Sequence, residues 1–319
     1  MRVCLLVFFV LVLLPMTVSS QQEDIESVVP RTPWGPPDLQ GVWTNSTTTP
    51  LERPAEWSER VSLSPEEVAE INAQAQERFD LGPEDVYSRG VVSPRISRPG
   101  DPGTYNDFWW DRGSALPRTS LIIDPADGRI PPLTEEGLAQ GAFRQDVGSW
   151  NERNLAERCL TRGVPKRPGG YNNNFQILQT PDYVVILQEM IHESRVIPLS
   201  NRDYIDKRIR LWMGDSRGHW EGDTLVVTTT NFDDRIVANS TNCCGRSGSG
   251  LRLTERFTRV GQDMIEFEYT VDDPTIYTRA WTVTLPMTRI PGPIYEYACH
   301  EGNYGLENIL RGSRVEELE

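Results

Sequence analysis

From Tyr171 onward, short runs of β-branched and aromatic residues alternate with tight-turn residues, and this rhythm constrains the fold more than any other feature. NFQILQT, DYVVILQEMIH, SRVIPL, DTLVVTTTNF, LRLTERFTRV, DMIEFEYTV, IYTRAWTVTL and PIYEYACH are all of strand length. The links between them are short: Thr180-Pro181-Asp182, Glu221-Gly222-Asp223, Gly261-Gln262-Asp263 and Asp272-Asp273-Pro274. Hairpin-linked segments of this kind imply a largely antiparallel sheet. About eight such strands predict closure into a lipocalin-like β-barrel, or a strongly curved sandwich. The expected fold is therefore mainly β, with a proline-rich N-terminal wrap and two or three short helices.

The region ahead of these strands has a different texture. Arg2 followed by the apolar run Val3 to Leu14, with Val18 and Ser20 at plausible cleavage positions, reads as a signal peptide over residues 1–20. Cleavage near Ser20 predicts a secreted or periplasmic protein, and no later stretch offers a membrane span. Residues 21–60 read as an extended arm in which RTPWGPPDLQGVW lies over the body, anchored by Trp34 and Trp43. The remainder, 61–319, reads as one barrel-like domain with helical and loop insertions over 61–165. One helix is well signalled in SPEEVAEINAQAQERFDLG: Ser64 caps it, Glu67 closes a capping box, and Gly82 lies past its end. Weaker patterns predict helices from Thr134 to about Gln145 and around Trp150 to Leu160. GDSRGHWEGD reads as a turn.

A net charge of −14 argues against nucleic acid as a partner and leaves a small molecule as the expected one. Lys166 and Lys207 are the only lysines among 32 basic residues. Arginine suits carboxylate and phosphate recognition, although GC-rich codon usage accounts for the bias as well. After cleavage four cysteines remain: Cys159, Cys243, Cys244 and Cys299. In an exported chain an even number favours disulfides. Neighbouring cysteines seldom pair with each other, so Cys159 with Cys299 is the preferred bridge. Cys243 and Cys244 are left as a vicinal pair or as links to a second copy.

Several long stretches carry a resemblance: RTSLIIDPADGRIPPLTEEG, DYVVILQEMIHESRVIPL, WMGDSRGHWEGDTLVVTTTNF, LTERFTRV and GPIYEYACHEGNYGLENIL. The chain resembles, over roughly Gly35 to Arg311, a family of uncharacterised exported proteins of soil and marine bacteria. The resemblance implies export, a lipocalin-like or similar barrel, and again the Cys159–Cys299 pairing. It carries no activity with it.

Chemistry has to be sought residue by residue. The three histidines, His192, His219 and His300, each stand beside or near carboxylates. Strand alternation puts His192 on the face of Gln188 and Met190, with Glu189 opposite, and puts His300 with Glu296, opposite Tyr297 and Cys299. Cys299 and His300 then point apart, which disfavours a thiolate–imidazole pair. The leading expectation is a cofactor-independent lyase, isomerase or hydrolase using His192 and His300 as base and acid on a small, partly apolar substrate. Glu189, Glu296 and Tyr297 are the candidate orienting groups. Trp109, Trp110, Trp212 and Asn173 are candidate ligand contacts, the tryptophans by stacking and Asn173 from the polar loop YNNN. His219, in its turn, fits a hydrogen-bonded structural role. One alternative is a barrel that binds an apolar ligand without reaction. Another is a zinc or iron enzyme whose histidines and carboxylates converge from separate strands. No Gly-x-Ser-x-Gly elbow, phosphate-binding loop, dinucleotide fingerprint or His-Glu-x-x-His motif occurs.

Overall fold

The structure is a computed structural model that describes residues 29–80, 111, 113–141, 149–153, 155–200, 202–233 and 250–316. Eleven strands form one sheet in which every pairing is antiparallel. They are β1 (Gly41–Thr44), β2 (Ile122–Asp124), β3 (Asn174–Gln179), β4 (Tyr183–Gln188), β5 (Ser194–Pro198) and β6 (Asp215–Glu221), then β7 (Thr224–Thr230), β8 (Arg252–Arg259), β9 (Met264–Asp272), β10 (Trp281–Thr284) and β11 (Met287–Ile290). The main path runs β5-β4-β3-β1-β11-β9-β8-β7-β6, with β10 beside β9 and β2 beside β10.

Strands β3 to β5 and β6 to β9 form two antiparallel meanders, in which the tight β3–β4 and β8–β9 turns follow directly from the turn-punctuated pattern. What joins them is β1, which pairs with β3 on one side and β11 on the other. The stretch read as an overlying arm thus supplies a central strand. Trp43 is fully buried there, and its indole Nε1 donates to the Leu39 carbonyl at 2.9 Å.

The ladder stays open, so the expected closed barrel is replaced by an open sheet with β5 and β6 as its edges. The edges approach each other through side chains instead. Gly218 of β6 lies so close to Ile197 and Leu199 that an added Cβ would come within 3.0 Å of both. Pro198, which ends β5, has no N–H to extend a ladder across that seam.

Seven of the eight expected strand segments form strands, and PIYEYACH does not. Pro293 has no N–H to donate, and side chains engage the Tyr295 amide and the Tyr297 carbonyl, as described below. GDSRGHWEGD, expected as a turn, contains β6, which pairs with β7 from Asp215↔Thr230 to Glu221↔Thr224. Its inward residues include Ser216 and Gly218, which are too small and polar to show as hydrophobic alternation.

Among the described residues there are three α-helices: α1 (Pro65–Asp80), α2 (Glu135–Gly141) and α3 (Tyr304–Glu316). The capping box forms as read: the Ser64 amide donates to Glu67 Oε2 at 2.8 Å, and the Glu67 amide donates to Ser64 Oγ at 3.3 Å. Gly82 lies outside the described residues, as do 142–148, where the second expected helix would continue. In place of the third expected helix stand a 3₁₀ turn, Trp150–Glu152, and a run of turns to Leu160. Cys159 takes φ 54°, which is not helical backbone. No helix was expected where α3 forms.

The core is built from the inner faces of the sheet, with Phe257 stacked on Phe267 at 4.6 Å and Trp281 edge-on to Tyr277. An ion pair sits within it. Arg195 of β5 reaches Glu255 of β8 through two hydrogen bonds, and both side chains are buried. None of the described helices is long and apolar enough to cross a membrane.

Candidate functional site

The segment TRGVPKRPGGYNN, from Thr161 to Asn173, links the disulfide region to β3. Two prolines and three glycines in it oppose both helix and ladder, and Gly163 and Asn172 take positive φ. Side chains hold the loop instead, with Asn173 at the centre. Asn173 is fully buried, and its Oδ1 accepts from Lys166 Nζ at 3.0 Å and from the Gly169 amide at 2.7 Å. Its Nδ2 donates to Asp111 Oδ2 at 3.0 Å and to the Gly169 carbonyl at 2.9 Å. Asn45 Nδ2 adds a bond to the Lys166 carbonyl at 3.0 Å.

This loop encloses a pocket of about 230 Å³ lined by Arg162, Lys166, Arg167, Tyr171, the Pro168–Gly169–Gly170 backbone and Met190. Three basic residues therefore meet one concavity in a chain of net charge −14. Lys166 is only 6% exposed. Burial first, and Arg162 second, push its ammonium down to about 7, against the weaker pull of Glu189 and Asp111. Lys166 also borders a small internal cavity of about 20 Å³, shared with Gln188, Arg195 and Glu255. It thus stands between the surface pocket and the core.

Past β3, the alternation along β4 holds to Gln188 and then fails. Glu189 turns into helical backbone and a 3₁₀ turn, Met190–His192, follows, with Ile191 and His192 both at positive φ. The expectation that Glu189 faces away from Met190 is corrected by this turn, because strand parity ends with the strand. Both are buried. Glu189 Oε2 accepts from Asn174 Nδ2 at 2.8 Å and Oε1 from the Tyr295 amide at 3.3 Å.

His192 is exposed, and its Nδ1 lies 2.8 Å from the Tyr297 carbonyl. A carbonyl only accepts, so Nδ1 carries the proton and Nε2 is the nitrogen left to exchange one. Burial raises the Tyr297 phenol, and Tyr171 of the pocket wall adds to the rise. Next to His192, Glu193 is raised by burial as well.

The segment 293–303 is thereby strapped alongside the pocket loop. Glu189 holds it at Tyr295, His192 at Tyr297 and a Cys159–Cys299 disulfide at Cys299, while Asn303 Nδ2 donates to the Glu157 carbonyl at 3.0 Å. The bridge spans 140 residues.

The structure thus brings Glu189, His192, Tyr297 and Asn173 around the loop that forms the pocket, although Asn173 spends its amide on holding the loop. His300 and Glu296 are exposed, and no hydrogen bond or ion pair joins their side chains to each other. The expected shared strand face is absent because residues 293–300 form no strand. His219 is exposed and pairs with Glu221 at 3.1 Å, in keeping with a structural role. Trp212 packs against the hydrophobic core. Trp109, Trp110, Cys243 and Cys244 lie outside the described residues. Among the described residues no group of three or more His, Cys, Asp or Glu side chains is placed to hold a metal ion.

Sequence reasoning missed Arg162, Lys166 and Arg167, and read Tyr171 only as part of the polar loop YNNN. A signal was present: one of only two lysines stands between arginines in a proline- and glycine-rich run. No protein-family model matches the chain, and no curated protein is similar to it.

Proposed function

We propose that the chain binds a small organic anion in the pocket formed by Arg162, Lys166, Arg167 and Tyr171, and acts on it by acid–base chemistry outside the cytoplasm. The convergence of two guanidinium groups and a buried lysine on one concavity of an acidic protein carries this reading. Guanidinium groups favour planar oxyanions, which they bind by paired hydrogen bonds. Met190 is the one aliphatic side chain of the lining beside Pro168, which favours an anion over a wholly apolar ligand. Proton transfer falls to His192 Nε2, on the turn that also carries Met190, and to Lys166, with the Tyr171–Tyr297 pair bordering the site. The signal-like N-terminus is what supports placing this activity outside the cytoplasm.

Calorimetry with acetate, malonate, citrate and inorganic phosphate tests the binding. At least one should bind, with an affinity that falls as salt rises and drops at least about tenfold in Arg162→Met. Absence of binding by all four, or an unchanged affinity in the variant, would overturn the site. Acid–base action is read by proton NMR in D2O as exchange of carbon-bound hydrogens of the bound anion, slowed in His192→Ala. Unaltered spectra for every anion that binds would reduce the protein to a binder.

A further inference from the structure

We propose that Lys166 is a nucleophilic amine that condenses with a small oxo acid, so that the pocket takes a carboxylate carrying a neighbouring ketone or aldehyde. This inference rests on the anion-binding reading above and names its ligand class.

The geometry is that of an amine kept in reserve. Nζ is buried in the pocket wall, and the hydrogen bond it makes is to a neutral acceptor, Asn173 Oδ1, at 3.0 Å. An ammonium has three donors to satisfy, whereas a neutral amine has two and a free lone pair. Among the described residues no carboxylate pairs with Nζ. The two acids closest to it in influence, Asp111 and Glu189, accept hydrogen bonds from Asn173 and from Asn174 and Tyr295. Asn173 thus fixes the amine in place without supplying the negative charge that would hold it protonated. With its ammonium pushed down to about 7, a large share of Lys166 is free base at neutral pH.

The neighbours supply the rest. Arg162 and Arg167 line the same pocket as Lys166 and suit a carboxylate, so an oxo acid held by them would carry its carbonyl within the pocket that the amine also lines. The Nζ lone pair forms the C–N bond while the carbonyl π electrons move to oxygen, which takes up a proton as nitrogen gives up one of its two. The resulting carbinolamine expels its hydroxyl as water as nitrogen loses its remaining hydrogen as a proton and C=N forms. Amine and carbonyl give imine and water, with no oxidant or reductant. An imine so placed withdraws electrons from the neighbouring carbon, which suits the proton exchange expected of the site.

The chain contains its own control, because Lys207 is the only other lysine and is exposed. The protein is incubated with glyoxylate or pyruvate and cyanoborohydride, which reduces an imine to a stable secondary amine, and the labelled peptides are mapped by mass spectrometry. Lys166 should label at least about tenfold faster than Lys207, with a half-maximal rate near pH 7. Malonate, which has no carbonyl able to form an imine, should compete. Arg162→Met should slow labelling at Lys166 and leave Lys207 unchanged.

Equal labelling of the two lysines, or labelling at Lys207 alone, overturns the inference, and this comparison needs no variant. If malonate binds by calorimetry while Lys166 stays unlabelled, the pocket stands and the imine falls. If no anion binds, the functional reading falls with it.

Discussion

Replacing Lys166 by methionine gives a direct measure of what burying this amine does to the fold. In the folded chain burial holds its ammonium at about 7, against an ordinary 10.5. At about 1.4 kcal/mol per tenfold change in proton affinity, that difference corresponds to roughly 5 kcal/mol. The sign follows from proton counting. Between about 7 and 10.5 the unfolded chain holds a proton that the folded chain has released, so the parent gains stability as pH rises through this window. Below about 7 the full penalty is present. Methionine fills a similar volume and carries no charge, so Lys166→Met removes the penalty together with one hydrogen bond to Asn173 worth about 1 kcal/mol. That second loss does not depend on pH and cancels from the slope. Urea unfolding of parent and variant from pH 6.5 to 9.5 should show the variant's relative advantage shrinking by roughly 3 kcal/mol across the range. Parallel curves would refute the reasoning, because they would mean that the amine keeps its proton in the folded state.

Two further outcomes are expected. Arg195→Met leaves the Glu255 carboxylate buried without its partner and should cost about 3–5 kcal/mol, whereas adding Glu255→Leu should recover most of the loss. A single variant costing under about 1 kcal/mol in urea titration would show that the pair is wet. Removing the disulfide with Cys159→Ser and Cys299→Ser opens a 140-residue loop and should cost roughly 2–5 kcal/mol. The Tyr295 amide, held by Glu189, should then exchange its hydrogen faster, and unchanged exchange would show that the strap is held without the bridge.

The pattern of residues specified what depends on near neighbours. Alternating burial along β3, β8 and β9 is written in their period of two, and the turn residues that follow β3 and β8 set antiparallel hairpins with β4 and β9. The Ser64–Glu67 capping box is equally local. The Cys159–Cys299 bridge was legible because few cysteines were available and adjacent ones pair poorly. The site was legible in pieces. Glu189, His192 and Tyr297 were named, but strand parity assigned them to faces that a 3₁₀ turn and an unpaired strap do not have.

The sequence by itself therefore determined a mainly antiparallel sheet, its hairpins, its first helix and its staple, all of which rest on short-range pattern or on chemistry with few options. Tertiary structure decided that β1 lies between β3 and β11, that β6 is an edge, and that the ladder stays open. It also decided the pocket. Arg162, Lys166 and Arg167 read as ordinary charges until Asn173 folds their loop and takes Lys166 out of water, and only that burial gives a lysine the protonation of a neutral-pH base.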